Sequence, residues 1–407
     1  MQARSPCRNM NEQPAVDPSL FPLEPDTTFL NHGSFGSCPL AVLEHQQALR
    51  MRLERQPVRF YQREFEPLLD EARAAIGEFV NANTDDLVFV TNTTAGVNTV
   101  VRSLPFEPGD ELLVTNHEYN ACNNALRVAA EKRRAQVVTI DIPFPIQDEQ
   151  QVIDAVLEKA TERTRLLLID HVTSQSALVL TIKPIVDALN ERGIDTLVDG
   201  SHAPGMVPVD IGSLGAAYYT ANCHKWLCAP KTAGFLYVRK DRQEIIRPLT
   251  ISHGANSPRT DRSRMLIEFG WMGTRDPSAA LSVPFLIDYM SKLLPGGWNE
   301  IRARNHGLAK AGRKIILQNL GIESPAPESM LGSMATIPLS HPSLDNPYQS
   351  FKYQSPWQER LIRDHNIEVP LFPWMNFPDH VVRISAQVYN QPSHYQKLAD
   401  ALRDLAS

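Results

Sequence analysis

The feature that most limits how this chain can fold is a series of short apolar runs, alternating with helical stretches, between residues 87 and 238. Near-continuous apolar runs of this kind are typical of parallel strands that are buried on both faces of a sheet. We therefore predict an α/β fold with a mainly parallel sheet covered by helices. The predicted strands are Leu87–Thr91, Glu111–Thr115, Ala135–Ile140, Leu166–Asp170, Thr196–Asp199, Ala216–Thr220 and Gly234–Val238.

The pattern changes near residue 290, where a long helix is predicted around Pro284–Gly297. The remaining strands, Met334–Pro338, Ile367–Leu371 and Val381–Ser385, alternate with helical segments and predict a smaller α+β domain. The polar, proline-rich N-terminus is expected to form an arm or a segment of that smaller domain. The predicted organisation is residues 1–40 for the arm, 41–290 for the large domain and 291–407 for the small domain.

Composition narrows the function class. The chain has 407 residues and a net charge of -6, which argues against a strongly basic nucleic-acid binder. Its five cysteines form no C-x-x-C pair and are odd in number, so neither a disulfide framework nor a zinc ribbon is indicated. We expect reduced thiols in a cytoplasmic protein, without a signal peptide or a membrane helix.

Ligands of open parallel sheets bind beyond the carboxyl ends of the strands, so the residues that follow the apolar runs are the candidates. Thr91–Gly96 follows one strand and opens a helix, predicted at Val97–Leu104, where free N–H groups could bind phosphate. An ordinary Thr N-cap explains the same residues. Asp199 ends another strand and could hold a cation, although a capping role is equally open.

Two basic residues stand in apolar surroundings. No formally charged side chain occurs between Ile211 and His224, so Lys225 is expected to be partly buried. Desolvation lowers the pKa of an amine, and a neutral amine can form a Schiff base; a snorkelling surface lysine is the alternative. Arg383 lies inside an apolar strand and needs an anionic partner, which could be a substrate carboxylate or a structural acid.

Together these parts fit pyridoxal 5'-phosphate (PLP). This cofactor needs a Schiff-base lysine, an acid opposite its ring nitrogen and a phosphate site at a helix N-terminus, and it becomes an electron sink. A different class of function, a metal-dependent hydrolase, would use Asp170, His171, Asp199 and His202 as ligands.

The ordered motifs resemble the class V aminotransferase family of fold-type I PLP-dependent enzymes, and within it the isopenicillin N epimerase-like branch. The resemblance covers nearly the whole chain and is carried by Phe29–Gly36, Gln56–Phe60, Asn92–Gly96, Asp199–Gly205, His224-Lys225, Arg383–Ser385 and Tyr389-Asn390. It implies a homodimer with shared active sites.

The resemblance also implies a role for each matching residue. Lys225 corresponds to the aldimine-forming lysine, Asp199 to the partner of the pyridine nitrogen and Arg383 to the arginine that binds the substrate carboxylate. Asn31 and His32 fall in a segment expected to contact the substrate. The other implied cofactor contacts are Thr94, Ala95, Asn222 and His224 at the phosphate, His202 and Ser174 at the phenolic oxygen, Tyr119 stacked on the ring and Thr274 reaching the phosphate of the neighbouring subunit.

This sequence departs from the family pattern at three places. Tyr119 stands where the family has His, Ser174 where many relatives have Asn, and Thr232 where a small Gly is expected. These departures leave the reaction open between epimerisation, with Tyr119 as a second acid, direct C–S bond cleavage and transamination. A persulfide-forming desulfurase is disfavoured, because no cysteine follows Cys228.

Overall fold

The computed structural model describes residues 14–340, 355–374 and 380–406. Residues 1–13 of the predicted arm, including Cys7, lie outside the described residues. In the described part of the chain the strands are β1 Thr28–Phe29, β2 Leu87–Val90, β3 Glu111–Thr115, β4 Gln136–Ile140, β5 Thr164–Asp170, β6 Asp195–Asp199, β7 Tyr218–Asn222, β8 Gly234–Val238, β9 Met334–Leu339, β10 Ile367–Glu368, β11 Leu371–Pro373 and β12 His380–Ser385.

The helices of the same part of the chain pack on both faces of the sheets or follow the strands in sequence. They are α1 His32–Phe35, α2 Leu40–Arg55, α3 Pro57–Arg59, α4 Phe65–Phe79, α5 Thr93–Ser103, α6 Asn120–Arg133, α7 Gln150–Lys159, α8 Lys183–Glu191, α9 Ile211–Leu214, α10 Arg264–Gly270, α11 Ser278–Leu281, α12 Val283–Ser291, α13 Gly297–Leu320, α14 Pro356–His365 and α15 Pro392–Ala406. A π-helical turn, Phe60–Glu64, joins α3 to α4.

The large sheet has the strand order β2-β8-β7-β6-β5-β3-β4. Strands β3 to β7 run parallel to one another, whereas β8 is antiparallel to both β2 and β7. Along β3, Leu112 and Val114 join one apolar cluster and Leu113 joins the cluster on the opposite face. This burial on both faces explains the continuous apolar runs and confirms the predicted α/β fold.

The small sheet is antiparallel and has the order β11-β12-β9. Its core combines residues from position 308 onward with Leu30, and β1 pairs in parallel with β10. The N-terminal segment is therefore built into the C-terminal half of the molecule. We propose that the predicted boundaries at residues 40 and 290 separate the two domains, because this core draws no member from between them.

Three predicted elements were wrong in detail. The helix predicted across Pro284–Gly297 is two helices, since α12 ends at Ser291 and α13 begins at Gly297. The strand predicted at Ile367–Leu371 is divided between two sheets, with Pro370 between β10 and β11. Helix α5 begins at Thr93 instead of Val97, because the Asn92 side chain caps it by accepting from Ala95 N at 2.9 Å.

Within the described ranges, no helix combines the length and the apolar character needed to cross a membrane.

Packing of α5 on the sheet predicts an asymmetry between two helical glycines. A Cβ at Gly96 would overlap Thr220 Oγ1 and lie 2.8 Å from Thr220 Cβ, whereas a Cβ at Gly307 in α13 would meet nothing within 4 Å. Overpacking should make Gly96→Ala destabilising by about 1–3 kcal/mol. Gly307→Ala should be neutral or stabilising by up to about 1 kcal/mol, because alanine favours helices. Urea unfolding of both variants measures this, and equal effects would contradict the packing account.

Candidate active site

The candidate site lies at the carboxyl edge of the large sheet. Asp170 pairs with Asp199 at the ends of β5 and β6, and Asn222 ends β7. The N-terminus of α5 reaches the same edge, because Thr93 N donates to Asn222 Oδ1 at 3.0 Å. Parallel strands with right-handed crossovers bring their carboxyl ends together, so residues far apart in sequence converge here.

Lys225 follows β7 in a turn whose backbone packs against the loop that contains Gly36. Its Nζ lies 3.0 Å from His202 Nε2, and Trp226 Nε1 donates to His202 Nδ1 at 3.2 Å. Burial lowers the pKa of Lys225 to about 8, against the opposing attraction of Asp199. Gly36, at φ +71°, packs directly against the backbone of His224 and Lys225, so a side chain at this position would displace the turn.

Asp199 is buried at the end of β6 with both oxygens engaged. Oδ1 accepts from Ser201 N at 2.8 Å and Oδ2 accepts from the Cys122 thiol at 3.3 Å. Two more acids lie close by. Burial, reinforced by the neighbouring carboxylates, raises the pKa of both Glu118 and Asp170 well above the usual range. At neutral pH these two groups are therefore held towards their neutral forms.

Two buried polar atoms beside Asn222 have no hydrogen-bond partner among the described residues. They are Thr93 Oγ1 and His224 Nδ1. Buried polar atoms are nearly always satisfied, so unpaired atoms at a helix N-terminus indicate a missing anionic ligand. Asn222 Nδ2 also donates to Ser201 Oγ at 3.2 Å, which ties this region to Asp199. Thr94 and Ala95, predicted to contact a phosphate, lie in the first turn of α5.

Arg383, on β12, is 1% exposed and forms no ion pair with a carboxylate of the described chain. Its Nη1 donates to Ser174 O at 2.7 Å, and its Nη2 donates to Ser34 Oγ at 2.8 Å. The guanidinium carbon lies 5.2 Å from the centre of the Phe372 ring. Burial lowers the pKa of Arg383 to about 10. A buried cation that is held by neutral groups requires an anionic ligand.

The predicted substrate residues Asn31 and His32 take different positions. Asn31 Oδ1 lies 3.5 Å from Arg383 Nη2. His32 is fully buried, and its Nδ1 lies 2.7 Å from Tyr389 Oη while its Nε2 lies 3.0 Å from Lys225 O. The His32 ring therefore supports the turn that carries Lys225, and both of its nitrogens are occupied by protein groups.

The remaining predicted residues lie at the surface or closer to Arg383. Tyr119 precedes α6 and is 48% exposed, and it lies near enough to Arg383 for an ionised phenol to raise the pKa of that residue. Ser174, predicted near a phenolic oxygen, contacts Arg383 through its carbonyl and through its hydroxyl at 3.3 Å. Thr274 is exposed on the loop between α10 and α11 and makes no hydrogen bond to this cluster within the described ranges.

The metal-ligand set predicted for a hydrolase does not converge. His171 Nδ1 lies 2.9 Å from Tyr219 Oη, and both nitrogens of His202 are engaged by Lys225 and Trp226. In the described ranges, the metal-ligating side chains that do cluster are Glu118, Cys122 and Asp199. Because the imidazoles are turned to other partners, the hydrolase interpretation is wrong.

Comparison with known proteins agrees with this geometry. A model of the family described as aminotransferase class V matches residues 38–397. The chain belongs to the class V aminotransferase family. Its members are PLP-dependent enzymes, and this chain is one of them.

Individual relatives carry different names. The chain is 31% identical to a probable L-cysteine desulfhydrase of Arabidopsis thaliana, over 94% of this chain and 83% of that protein. It is 30% identical to the isopenicillin N epimerase of Amycolatopsis lactamdurans, over 98% of both chains. The fold is also similar to that of the cystine C–S lyase C-DES in complex with cysteine persulfide. That match has a TM-score of 0.75 and 19% identity, and it covers 93% of this chain and 98% of the other.

The described side chains fit PLP. Unpaired Thr93 Oγ1 and His224 Nδ1 suit its phosphate, buried Asp199 suits a protonated ring nitrogen, and Lys225 offers an amine of lowered pKa. Sequence reasoning missed two residues that complete this arrangement, Ser34 and Trp226. Ser34 was visible only as part of the Phe29–Gly36 motif. Trp226 was adjacent to Lys225 but gave no signal of its contact with His202.

The burial of His32 predicts a specific pH dependence of stability. Burial lowers the pKa of His32 to about 3, below the value of about 6.5 in an unfolded chain. Below pH 6.5 the unfolded chain therefore binds the additional proton, and stability is lost as pH falls towards 3. Relative to a non-titrating His32→Gln variant, the wild type should lose about 1.4 kcal/mol of unfolding free energy per pH unit in that window.

The measurement is urea unfolding of both proteins between pH 4 and pH 7.5. Taking the difference between the two proteins removes the contribution of the other titrating groups. A difference that stays constant across this range would show that His32 is not held in its neutral form.

Proposed function

We propose that this PLP-dependent enzyme cleaves a C–S bond of a cysteine-like amino acid by direct β-elimination. The observation that carries the proposal is the pairing of Lys225, an amine of lowered pKa, with Arg383, a buried cation that has no carboxylate partner among the described residues. The two residues are close enough for the Arg383 charge to help lower the pKa of Lys225. A base and a cation that binds a carboxylate, near enough to affect each other electrostatically, suit an α-amino acid.

The cofactor contacts that we assign extend along the carboxyl edge of the sheet. Asp199 would hold the ring nitrogen, and Asn222 and His224 would bind the phosphate with Thr93, Thr94 and Ala95. His202 lies beside Lys225. When it is bound, PLP supplies an electron sink for the carbanion that forms at the substrate Cα. Cys122 and Ser201 fix the Asp199 carboxylate so that it cannot turn away from the ring.

Arg383 binds the substrate carboxylate in a bidentate manner, a geometry suited to its planar guanidinium. Ser34 and Ser174 hold that guanidinium in place, and Asn31 lies beside it. Lys225 Nζ then removes the Cα proton as general base. We propose that His32 acts indirectly, by positioning the Lys225 turn.

The next step distinguishes a lyase from a persulfide-forming desulfurase. No cysteine follows Cys228 in the sequence, and burial raises the pKa of Cys228 well above that of a free thiol. A thiolate nucleophile is therefore unsupported. In direct elimination the Cα–H and Cβ–S bonds break, sulfur leaves as a thiol, and water releases the carbon skeleton as pyruvate and ammonium. A desulfhydrase name among the relatives and a C–S lyase among the fold neighbours support this reaction.

Epimerisation is a second candidate, and a specific observation favours it. Inversion at Cα requires an acid on the face opposite Lys225. Tyr119 is half-exposed and close to Arg383, and the phenol could donate that proton. A relative named isopenicillin N epimerase aligns over 98% of both chains, which supports the same interpretation.

The discriminating experiment is an amino-acid panel in deuterated buffer with wild-type holoenzyme and Tyr119→Phe. We expect L-cysteine or L-cystine to give equimolar pyruvate and ammonium with released sulfur. The Tyr119→Phe variant should retain this activity within about tenfold, because the ring is kept and no proton from the phenol is needed. Loss of a true general acid would cost about 10²–10⁴-fold.

Deuterium incorporation with inversion, abolished in Tyr119→Phe and without pyruvate, would replace the lyase assignment with epimerisation. Keto-acid formation from the amino donor would indicate transamination instead.

We also propose a homodimer with shared active sites, in which Thr274 of one chain reaches the phosphate in the other. Thr274 is exposed, and Phe35 (72%), Val58 (60%) and Ile251 (57%) are exposed apolar residues that a partner could cover. Four buried cysteines are free thiols, which supports a reducing, cytoplasmic environment.

Sharing of sites predicts complementation between two inactive variants. Lys225→Ala should be inactive, and Thr274→Ala should retain PLP poorly. A hybrid dimer isolated with two affinity tags contains one site with both native residues, so it should recover on the order of half the wild-type activity. If Thr274 acts within its own chain, the hybrid will be no more active than its parents.

A further inference from the structure

We propose that Trp226 is a positioning residue that fixes the tautomer of His202 and thereby favours the neutral form of the Lys225 amine. The inference rests on the proposed function only in that Lys225 is the residue that binds the cofactor. It concerns a side chain for which neither the family match nor the sequence suggests a role.

The three groups form a continuous chain of contacts. Trp226 Nε1 lies 3.2 Å from His202 Nδ1, and His202 Nε2 lies 3.0 Å from Lys225 Nζ. Both Trp226 and His202 are 1% exposed, whereas Lys225 is half-buried. The contact between Trp226 and His202 is therefore shielded from water and has to be satisfied within the protein.

The chemistry of the donors leaves one arrangement. An indole N–H can only donate, so His202 Nδ1 must accept and carries no proton. A neutral imidazole then carries its proton on Nε2, where it points at Lys225 Nζ. An ammonium has three donors and no lone pair, so it would oppose this N–H. The contact is favourable only when Lys225 is a neutral amine that accepts from His202.

The other tautomer of His202, with its proton on Nδ1, would favour a charged Lys225. With the proton on Nδ1, His202 Nε2 would present a lone pair and stabilise a Lys225 ammonium. That tautomer sets an N–H of His202 against the N–H of Trp226. The indole thus disfavours the form of His202 that would stabilise a Lys225 ammonium.

Other charged groups act on the same pair from neighbouring elements. They are Asp199, Asp170 and Cys122, which favour a charged Lys225, and Arg383, His224 and His32, which disfavour positive charge on Lys225 or His202. None of them is altered by removing the indole N–H. The Trp226 ring also packs against His32, with ring centroids 5.1 Å apart. The same substitution in a His202→Gln background keeps this change in packing but lacks the tautomer, so it separates the two effects.

The test compares Trp226→Phe with Trp298→Phe. Both changes replace an indole by a smaller ring and remove one hydrogen bond, since Trp298 Nε1 donates to Ile287 O at 3.1 Å, remote from this chain of contacts. The readout is the pH dependence of acetic anhydride labelling of Lys225 in the apo-protein, measured by peptide mass spectrometry. This readout requires neither PLP nor turnover.

We expect Trp226→Phe to raise the Lys225 pKa by about one unit, which lowers labelling at pH 7 about tenfold, whereas Trp298→Phe leaves it unchanged. In a His202→Gln background, Trp226→Phe should have no further effect, because the tautomer no longer exists. Equal labelling of wild type and Trp226→Phe, or the same shift in Trp298→Phe, would overturn the proposal.

If Trp226→Phe does not fold, the wild-type apo-protein gives the answer directly. Nitrogen-15 histidine NMR, with the His202 signal identified by its loss in His202→Gln, should show the proton on Nε2; a proton on Nδ1 overturns the proposal. Borohydride trapping of PLP on Lys225 tests the proposed function separately. Failure to trap PLP there, with the labelling shift intact, would reject the function but not the role of Trp226.

Discussion

Desolvation of charged side chains is the constraint on which the whole site depends. The carboxyl edge of the sheet places Glu118, Asp170 and Asp199 together with Lys225 and Arg383. Burial raises the pKa of two of the acids and lowers the pKa of both cations, so every one of these shifts moves towards the neutral form. An anionic ligand would be stabilised here by Arg383, because this buried cation has no carboxylate partner among the described residues.

Desolvation of this kind requires close packing around the site, and segments near the N-terminal and C-terminal parts of the described chain supply some of that packing. The loop around Gly33 and Gly36 covers the Lys225 turn, while Gly33 N donates to Ser385 Oγ at 3.0 Å. His32 then joins Tyr389 to the carbonyl of Lys225. The N-terminal segment thus connects the small sheet to the lysine on the large sheet. A disturbance at this loop would admit water and weaken every electrostatic interaction in the site.

The sequence predicted the large sheet well, because strands that are buried on both faces appear in the sequence as continuous apolar runs. It also predicted the partial burial of Lys225 and drew attention to Arg383, since a charged residue inside an apolar run requires an explanation. It did not predict contacts between side chains on different elements. The donation from Trp226 to His202 and the support of Arg383 by Ser34 depend on tertiary placement that no periodicity encodes. The division of the strand at Ile367–Leu371 was missed for a similar reason, because two sheets compete for adjacent residues on either side of Pro370.

The buried network also explains why relatives of one family can carry names for different reactions. In the proposed mechanism Lys225, Asp199 and Arg383 govern only the shared first step, the removal of the Cα proton from a fixed substrate. The fate of the resulting carbanion then depends on the face opposite Lys225 and on the group at Cβ. We propose that Tyr119, which is 48% exposed, lies on that face. Substitutions there cost little stability. The reaction type could therefore change through substitutions near Tyr119, while Lys225, Asp199 and Arg383 stay the same because their charges affect one another.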